Sequence, residues 1–241
     1  MLKKKILIIS ILLNLFLVTG AVYWFINVGG IPYIKDHLTS KKYSPPQIKI
    51  RDDALSLLGS HQKKIVFLGD SHTNYFEWGE YFNGKSIANR GVAMDTTSNM
   101  VKRLNGVNEL QPEKIFIMAG INDLQQGVKE KTVLLHYKTI IDSLLKENPQ
   151  AHIYIQSTMQ VNVKKYKEHF YKDASNLNEM VPRLNKQLKS LEGPQITYID
   201  INRKVSGDNQ LNPELTVDGL HLNKKGYQIW VDAIESYVSS K

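Results

Sequence analysis

The sequence predicts an α/β protein with a central, mostly parallel five-stranded sheet. Three observations carry this expectation. Short apolar runs end abruptly at glycine or a small polar residue, as strands buried on both faces do. Stretches of helical period separate these runs, so strand and helix alternate and helices cover both faces of the sheet. A chain of 241 residues suffices for one well-buried domain and is short for two.

Taken in order, the chain opens with Lys3, Lys4 and Lys5 before an apolar run from Ile6 to Ile26, interrupted only by Ser10, Asn14, Thr19 and Gly20. As a helix this run spans roughly 31 Å, about one hydrocarbon thickness. The lysines precede it, which places the start inside and the remainder outside the membrane. A cleaved signal peptide is the alternative, with Val18-Thr19-Gly20 as a weak small-residue site. The run continues through Val22-Tyr23-Trp24-Phe25-Ile26, longer than a usual signal core, which favours an uncleaved anchor. Residues 1–26 are therefore expected to be an anchor or signal segment, 27–60 a connector, and 61–241 the folded domain. Gly29-Gly30, Pro32 and Pro45-Pro46 break any sustained period in the connector, although Asp52–Leu58 suits a short helix.

From Lys64 the strands follow: Ile65–Leu68 ending at Gly69, a weaker Ser86–Ala88 leading into Asn89, Ile115–Met118, Ile153–Ile155 and Ile196–Ile199. Helical patterns occupy Thr96–Leu104, Thr132–Glu147, Asn176–Leu191 and Lys224–Val238. Ser71, Gly91 and Asn122 each follow the carboxyl end of a strand, the rim where open α/β sheets bind ligands.

Composition narrows the function. The net charge of +8 falls to +5 without the three amino-terminal lysines, and no basic helix carries interleaved aromatics, so nucleic acid is not an expected partner. The absence of cysteine excludes disulfides, thiol catalysis and zinc–thiolate sites.

Four short motifs carry the chemistry: Gly69-Asp70-Ser71, Asn89-Arg90-Gly91, Gly120-Ile121-Asn122-Asp123 and Asp218-Gly219-Leu220-His221. A serine hydroxyl needs a neighbouring base, and His221 with Asp218 three residues earlier supplies a base and its orienting carboxylate. An ester carbonyl under attack develops an oxyanion, for which the Ser71 N–H, the Gly91 N–H and the Asn122 amide are suitable donors. Each residue alone has an ordinary structural role: Ser71 as a helix N-cap, Gly91 as a turn residue, Asn122 as a cap on its own loop.

Together these motifs resemble the SGNH (GDSL-type) hydrolase superfamily over roughly Lys63 to Tyr237, and are most similar to its platelet-activating-factor acetylhydrolase-like and carbohydrate O-acetylesterase-like branch. Gly226-Tyr227 and Trp230 also fit. The resemblance implies a three-layer α/β/α sandwich of flavodoxin-like type that needs no cofactor or metal. It implies Ser71 as nucleophile, Asp218 and His221 as the rest of a triad, and Gly91 and Asn122 completing an oxyanion hole, with Asp70 and Asp123 in support. Two departures bear on substrate. His72 follows the serine where an aliphatic residue is usual, a feature of related domains that transfer acyl groups to envelope polysaccharides. Thr158-Met159-Gln160-Val161-Asn162 lacks a proline common in such esterases. His72, Trp78 and Met159 are the expected substrate-pocket residues, while the aromatic cluster Tyr75, Phe76, Trp78, Tyr81 and Phe82 reads chiefly as packing.

The expected activity is hydrolysis of short acyl esters, acetyl first, on an acylated small molecule, glycan or lipid-like alcohol at the outer membrane face. Alternatives are O-acyl transfer to an envelope polysaccharide and an anchored scaffold that binds glycan without catalysis. Asp70-x-His72 also matches a fragment of metallophosphoesterase sites, but the other histidines lack ligand spacing.

Overall fold

A computed structural model of the chain describes residues 46–58, 62–166, 174 and 176–240, and near the amino terminus residues 10, 14, 17–20, 22 and 23. Two units divide the chain, Met1–Ser44 and Pro45–Lys241. Among the described residues no helix is long and apolar enough to cross a membrane. Most of the apolar run from Ile6 to Ile26 lies outside the described residues.

In the second unit, helix α1 (Pro46–Ser56) precedes strand β1 (Ile65–Gly69). A one-turn helix α2 (Ser71–Asn74), a second short helix α3 (Trp78–Tyr81) and strand β2 (Ile87–Gly91) follow. Next come α4 (Thr97–Lys102), α5 (Asn105–Asn108), β3 (Lys114–Met118), α6 (Ile121–Gln125), α7 (Glu130–Glu147) and β4 (His152–Gln156). The chain ends through α8 (Leu177–Lys189), β5 (Ile196–Ile199), α9 (Asn202–Val205), the small hairpin β6 (Ser206–Gly207) and β7 (Gln210–Leu211), and α10 (Lys224–Ser239).

Five strands pair in the order β2-β1-β3-β4-β5, all parallel. The order reverses at β1: the chain moves outward to β2, then crosses back to β3. In such sheets the ligand crevice opens at the carboxyl ends of the strands beside that reversal. Gly69-Asp70-Ser71 and Gly120-Ile121-Asn122 leave β1 and β3 at that point.

Alternate strand residues face opposite layers. Val66, Leu68, Ile115, Ile117, Ile153 and Ile155 pack against α7 through Val133, Tyr137, Ile140 and Leu144, and against α8 through Val181, Leu184 and Leu188. On the other face Phe67, Phe116 and Tyr154 lie in register across three strands. Phe67 stacks on Phe116 at 4.8 Å and on Trp78 at 4.1 Å, while Phe116 stacks on Tyr154 at 4.5 Å. Helix α10 covers this row with Trp230, Val231, Ile234 and Val238. Helix, sheet and helix thus form three layers.

Two local devices brace the site from behind. Pro182 inside α8 cannot donate to the carbonyl of Asn178, and Gln160 Nε2 takes that acceptor at 3.0 Å. The Asn178 side chain in turn bonds both the N–H and the carbonyl of Val161, at 2.8 Å each. The segment after β4 is therefore pinned, and Asn162 N–H reaches the Gly219 carbonyl at 2.7 Å.

Candidate active site

The chain leaves β1 at Gly69, where an added Cβ meets the Met118 carbonyl at 2.6 Å and the Thr73 side chain, so only glycine fits. Asp70 caps α2, its carboxylate accepting the His72 N–H at 3.0 Å. Ser71 is the first helical residue rather than the cap, and its N–H has no acceptor among the described residues.

Ser71 Oγ lies 2.9 Å from His221 Nε2. His221 Nδ1 lies 2.6 Å from Asp218 Oδ2. A carboxylate facing Nδ1 assigns the proton to that nitrogen and leaves the Nε2 lone pair toward the serine hydroxyl. Asp218 Oδ1 also accepts the backbone N–H groups of Leu220 (2.9 Å) and His221 (2.7 Å). Burial alone raises the Asp218 carboxyl, but the His221 ring and these two N–H groups outweigh it and hold its pKa below the ordinary carboxylate range. The turn depends on Gly219 at φ +87°, where a side chain also meets the Asn162 carbonyl at 2.7 Å. Thr216 closes it, donating to the His221 carbonyl at 2.7 Å and accepting the Gly219 N–H at 2.9 Å.

Asn122 sits in the first turn of α6 and donates to the Asp95 carbonyl at 2.9 Å, so it bridges to the loop after β2 instead of capping its own. A side-chain amide has two donors, and the second hydrogen remains for a ligand. Asp123 points inward and binds Thr97 through its hydroxyl (2.6 Å) and N–H (3.0 Å), fixing the start of α4. Burial pushes its carboxyl up to about 6.

Gly91 requires a correction. Its N–H donates to Asn89 Oδ1 at 2.8 Å and is not available to an oxyanion. The glycine is required for another reason: a Cβ there meets the α2 backbone, Asn74 Cα at 2.6 Å and Thr73 C at 2.7 Å. Four residues later Asp95 N–H closes a turn onto Val92, with Met94 at φ +66°. The Met94 N–H has no acceptor among the described residues, and Met94 immediately precedes the carbonyl-bearing partner of Asn122.

The expected pocket residues are corrected as well. His72, Trp78 and Met159 are 2%, 0% and 2% exposed. Trp78 packs between Phe67 and Trp230 and donates to the Thr73 carbonyl at 2.9 Å. Met159 lies in the core beneath α10, and the whole 158–162 segment is buried as a support for the Gly219 turn. The exposed apolar side chains near the relay are instead Tyr75, whose ring centroid lies 5.2 Å from that of His221, with Met94 and Val217 on the adjoining loops.

Arg103 was not legible as a site residue. It binds Asp95 at 2.7 Å and donates to the carbonyls of Arg90 (2.9 Å) and Gly69 (3.2 Å). One guanidinium thereby ties the ends of β1 and β2 to the Asp95 loop, a use of its fixed donor fork that spacing does not announce.

A parallel sheet of this order thus carries a serine, a histidine and a carboxylate in relay at its reversal point. Residues 67–229 match the GDSL-like lipase/acylhydrolase family, and the chain belongs to it. A Streptococcus pneumonia protein provisionally described as a platelet activating factor superposes with a TM-score of 0.71 at 26% identity, over 85% of this chain and 96% of that one. A GDSL-like lipase of Bacteroides thetaiotaomicron shares the fold, with a TM-score of 0.63 at 21% identity over 79% of this chain and 96% of the other. The N-acylneuraminate cytidylyltransferase of Streptococcus agalactiae is 27% identical over 192 residues, 76% of this chain. The chain spans only 42% of the length of that relative.

Proposed function

We propose that the chain hydrolyses short acyl esters, acetyl above all, of a carbohydrate or lipid-like alcohol at the outer face of a membrane. The observation that carries this reading is the unbroken relay from Ser71 Oγ through His221 to Asp218. Ser71 Oγ attacks the ester carbonyl while His221 Nε2 takes its proton, and Asp218 stabilises the imidazolium that forms. Collapse of the tetrahedral intermediate returns that proton to the leaving alcohol and leaves an acyl-serine. Water then repeats the sequence and frees the acid. The oxyanion meets the Ser71 N–H, the free hydrogen of the Asn122 amide and, in place of Gly91, the Met94 N–H.

Two observations bear on the substrate class. An exposed Tyr75 ring beside His221 suits the apolar face of a sugar. The Streptococcus agalactiae relative is named for an acylated sugar, which agrees with a glycan alcohol. The outward location rests on the sequence alone, on the three lysines and the apolar run after them.

The test is turnover of p-nitrophenyl acetate, butyrate and octanoate by the full chain, with and without a chelator. Ser71→Ala is expected to lower kcat by at least about 10³-fold at similar KM, with acetate the best ester and chelator without effect. Turnover that survives Ser71→Ala removes the proposed nucleophile.

A further inference from the structure

His72 is buried beside the relay but takes no part in it. Both of its ring nitrogens face acceptors: Nδ1 lies 3.1 Å from Asp70 Oδ1, and Nε2 lies 2.9 Å from the Leu220 carbonyl oxygen. A backbone carbonyl can only accept, and Asp70 Oδ1 already accepts the His72 N–H. A neutral imidazole has one N–H, so it leaves a nitrogen lone pair against one of these oxygens. Only the imidazolium satisfies both. Burial opposes that charge, yet the Asp70 carboxylate, the Leu220 carbonyl and the more distant Asp218 together raise the His72 pKa.

The surroundings explain what the contact does. Asp70 caps α2, while Leu220 is the residue before His221. The titratable groups around the ring are Asp70 at the cap of α2, Asp218 and His221 from the loop before α10, and Tyr227 from α10. The Tyr227 hydroxyl donates to the His72 carbonyl at 2.8 Å, fixing the backbone that carries the ring. From the opposite layer, α7 presents the Tyr137 hydroxyl, held at Ala119 and within the field of Asp70. The His72 and His221 ring centroids are 5.5 Å apart. Ser71 and His221, 150 residues apart in sequence, are thus joined behind the relay by one side chain.

We propose that His72 is a positioning residue, a buried imidazolium that ties the Leu220–His221 peptide to the Asp70 cap and holds the His221 ring in line with Ser71 Oγ. This rests on the serine relay proposed above. When His72 loses its proton, one tie becomes a lone-pair contact and the loop is released. Turnover therefore falls at alkaline pH through kcat, with KM little changed.

The direct test is two-bond 1H–15N spectroscopy of the full chain labelled with 15N-histidine, using His72→Gln to assign the signal, alongside a pH profile with p-nitrophenyl acetate. Both ring nitrogens of His72 are expected to be protonated at pH 7, and their deprotonation to coincide with the alkaline fall in kcat. His72→Gln, which retains a donor for Leu220 but no charge, is expected to lose kcat by about 10- to 100-fold with KM within about twofold. Its alkaline limb should vanish. A bare ring nitrogen on His72 at pH 7 overturns the proposal, as does a folded His72→Gln enzyme that keeps both its kcat and its alkaline limb. The spectra also separate the two readings: doubly protonated His72 in a chain that turns over no ester upholds the clamp and removes the esterase.

Discussion

Met94 is the residue at which local conformation and chemistry are most clearly in tension. Its φ of +66° belongs to the left-handed region, which costs an ordinary side chain roughly 1–2 kcal/mol. The turn from Val92 to Asp95 imposes it, because the third residue of such a turn takes positive φ, where glycine is preferred. The side chain itself is half exposed and fills no core space. If Met94 serves through its backbone N–H, glycine should do the same work with less strain. Met94→Gly is expected to raise Tm by about 2–4 °C, equivalent to roughly 1 kcal/mol, with kcat for p-nitrophenyl acetate unchanged. Thermal unfolding and initial rates check this. A stabilised variant with lost turnover assigns the role to the thioether side chain and not to the N–H.

At the scale of elements, the closest constraint is between β2 and α2. Gly91 ends β2 against the backbone of Thr73 and Asn74, with Asn74 Cα at 2.6 Å from an added Cβ. Backbone atoms cannot step aside as a flexible side chain does, so a methyl group here pushes the whole turn that carries Ser71. Gly91→Ala is expected to destabilise the fold by about 1–3 kcal/mol and to lower kcat, because Ser71 moves relative to His221. Urea unfolding and turnover measure both, and an unperturbed Gly91→Ala enzyme shows that α2 is not held this tightly. The same junction shows what a sequence conveys. The strands were legible because buried parallel strands are continuous apolar runs, and Ile196–Ile199 was bounded correctly. Strand β2 extends past Ala88 to Gly91, since the polar Asn89 and Arg90 are held by backbone carbonyls that no pattern reveals. Hairpin β6–β7 was not anticipated, as its positive-φ residues Asp208 and Asn209 lack the usual glycine. The relay was legible through motif order. The purpose of Gly91 was not, because a glycine required by close packing and one that donates to a ligand look identical in a sequence. Trp78 and His72 read from the sequence as pocket residues, but both are buried, and that burial depends on α10, which arrives about 150 residues later.

For the whole molecule, the division at Ser44 and Pro45 separates the site from the apolar run. Every contact described for the relay, the sheet and both core layers lies within Pro45–Lys241. Among the described residues of that unit no helix is long and apolar enough to cross a membrane. The run from Ile6 to Ile26 has them on sequence grounds, with three lysines at its start. The two units of the chain should then separate cleanly in function. The full chain is expected to sediment with membranes and to resist release by high salt or carbonate, since burial of a membrane-length apolar run is indifferent to ionic strength. A chain beginning at Pro45 is expected to stay in the supernatant with the same Tm and the same kcat. A full chain that salt extracts removes the anchor from the proposal. A Pro45 chain that is unfolded or inactive shows instead that residues before Pro45 contribute to the esterase itself.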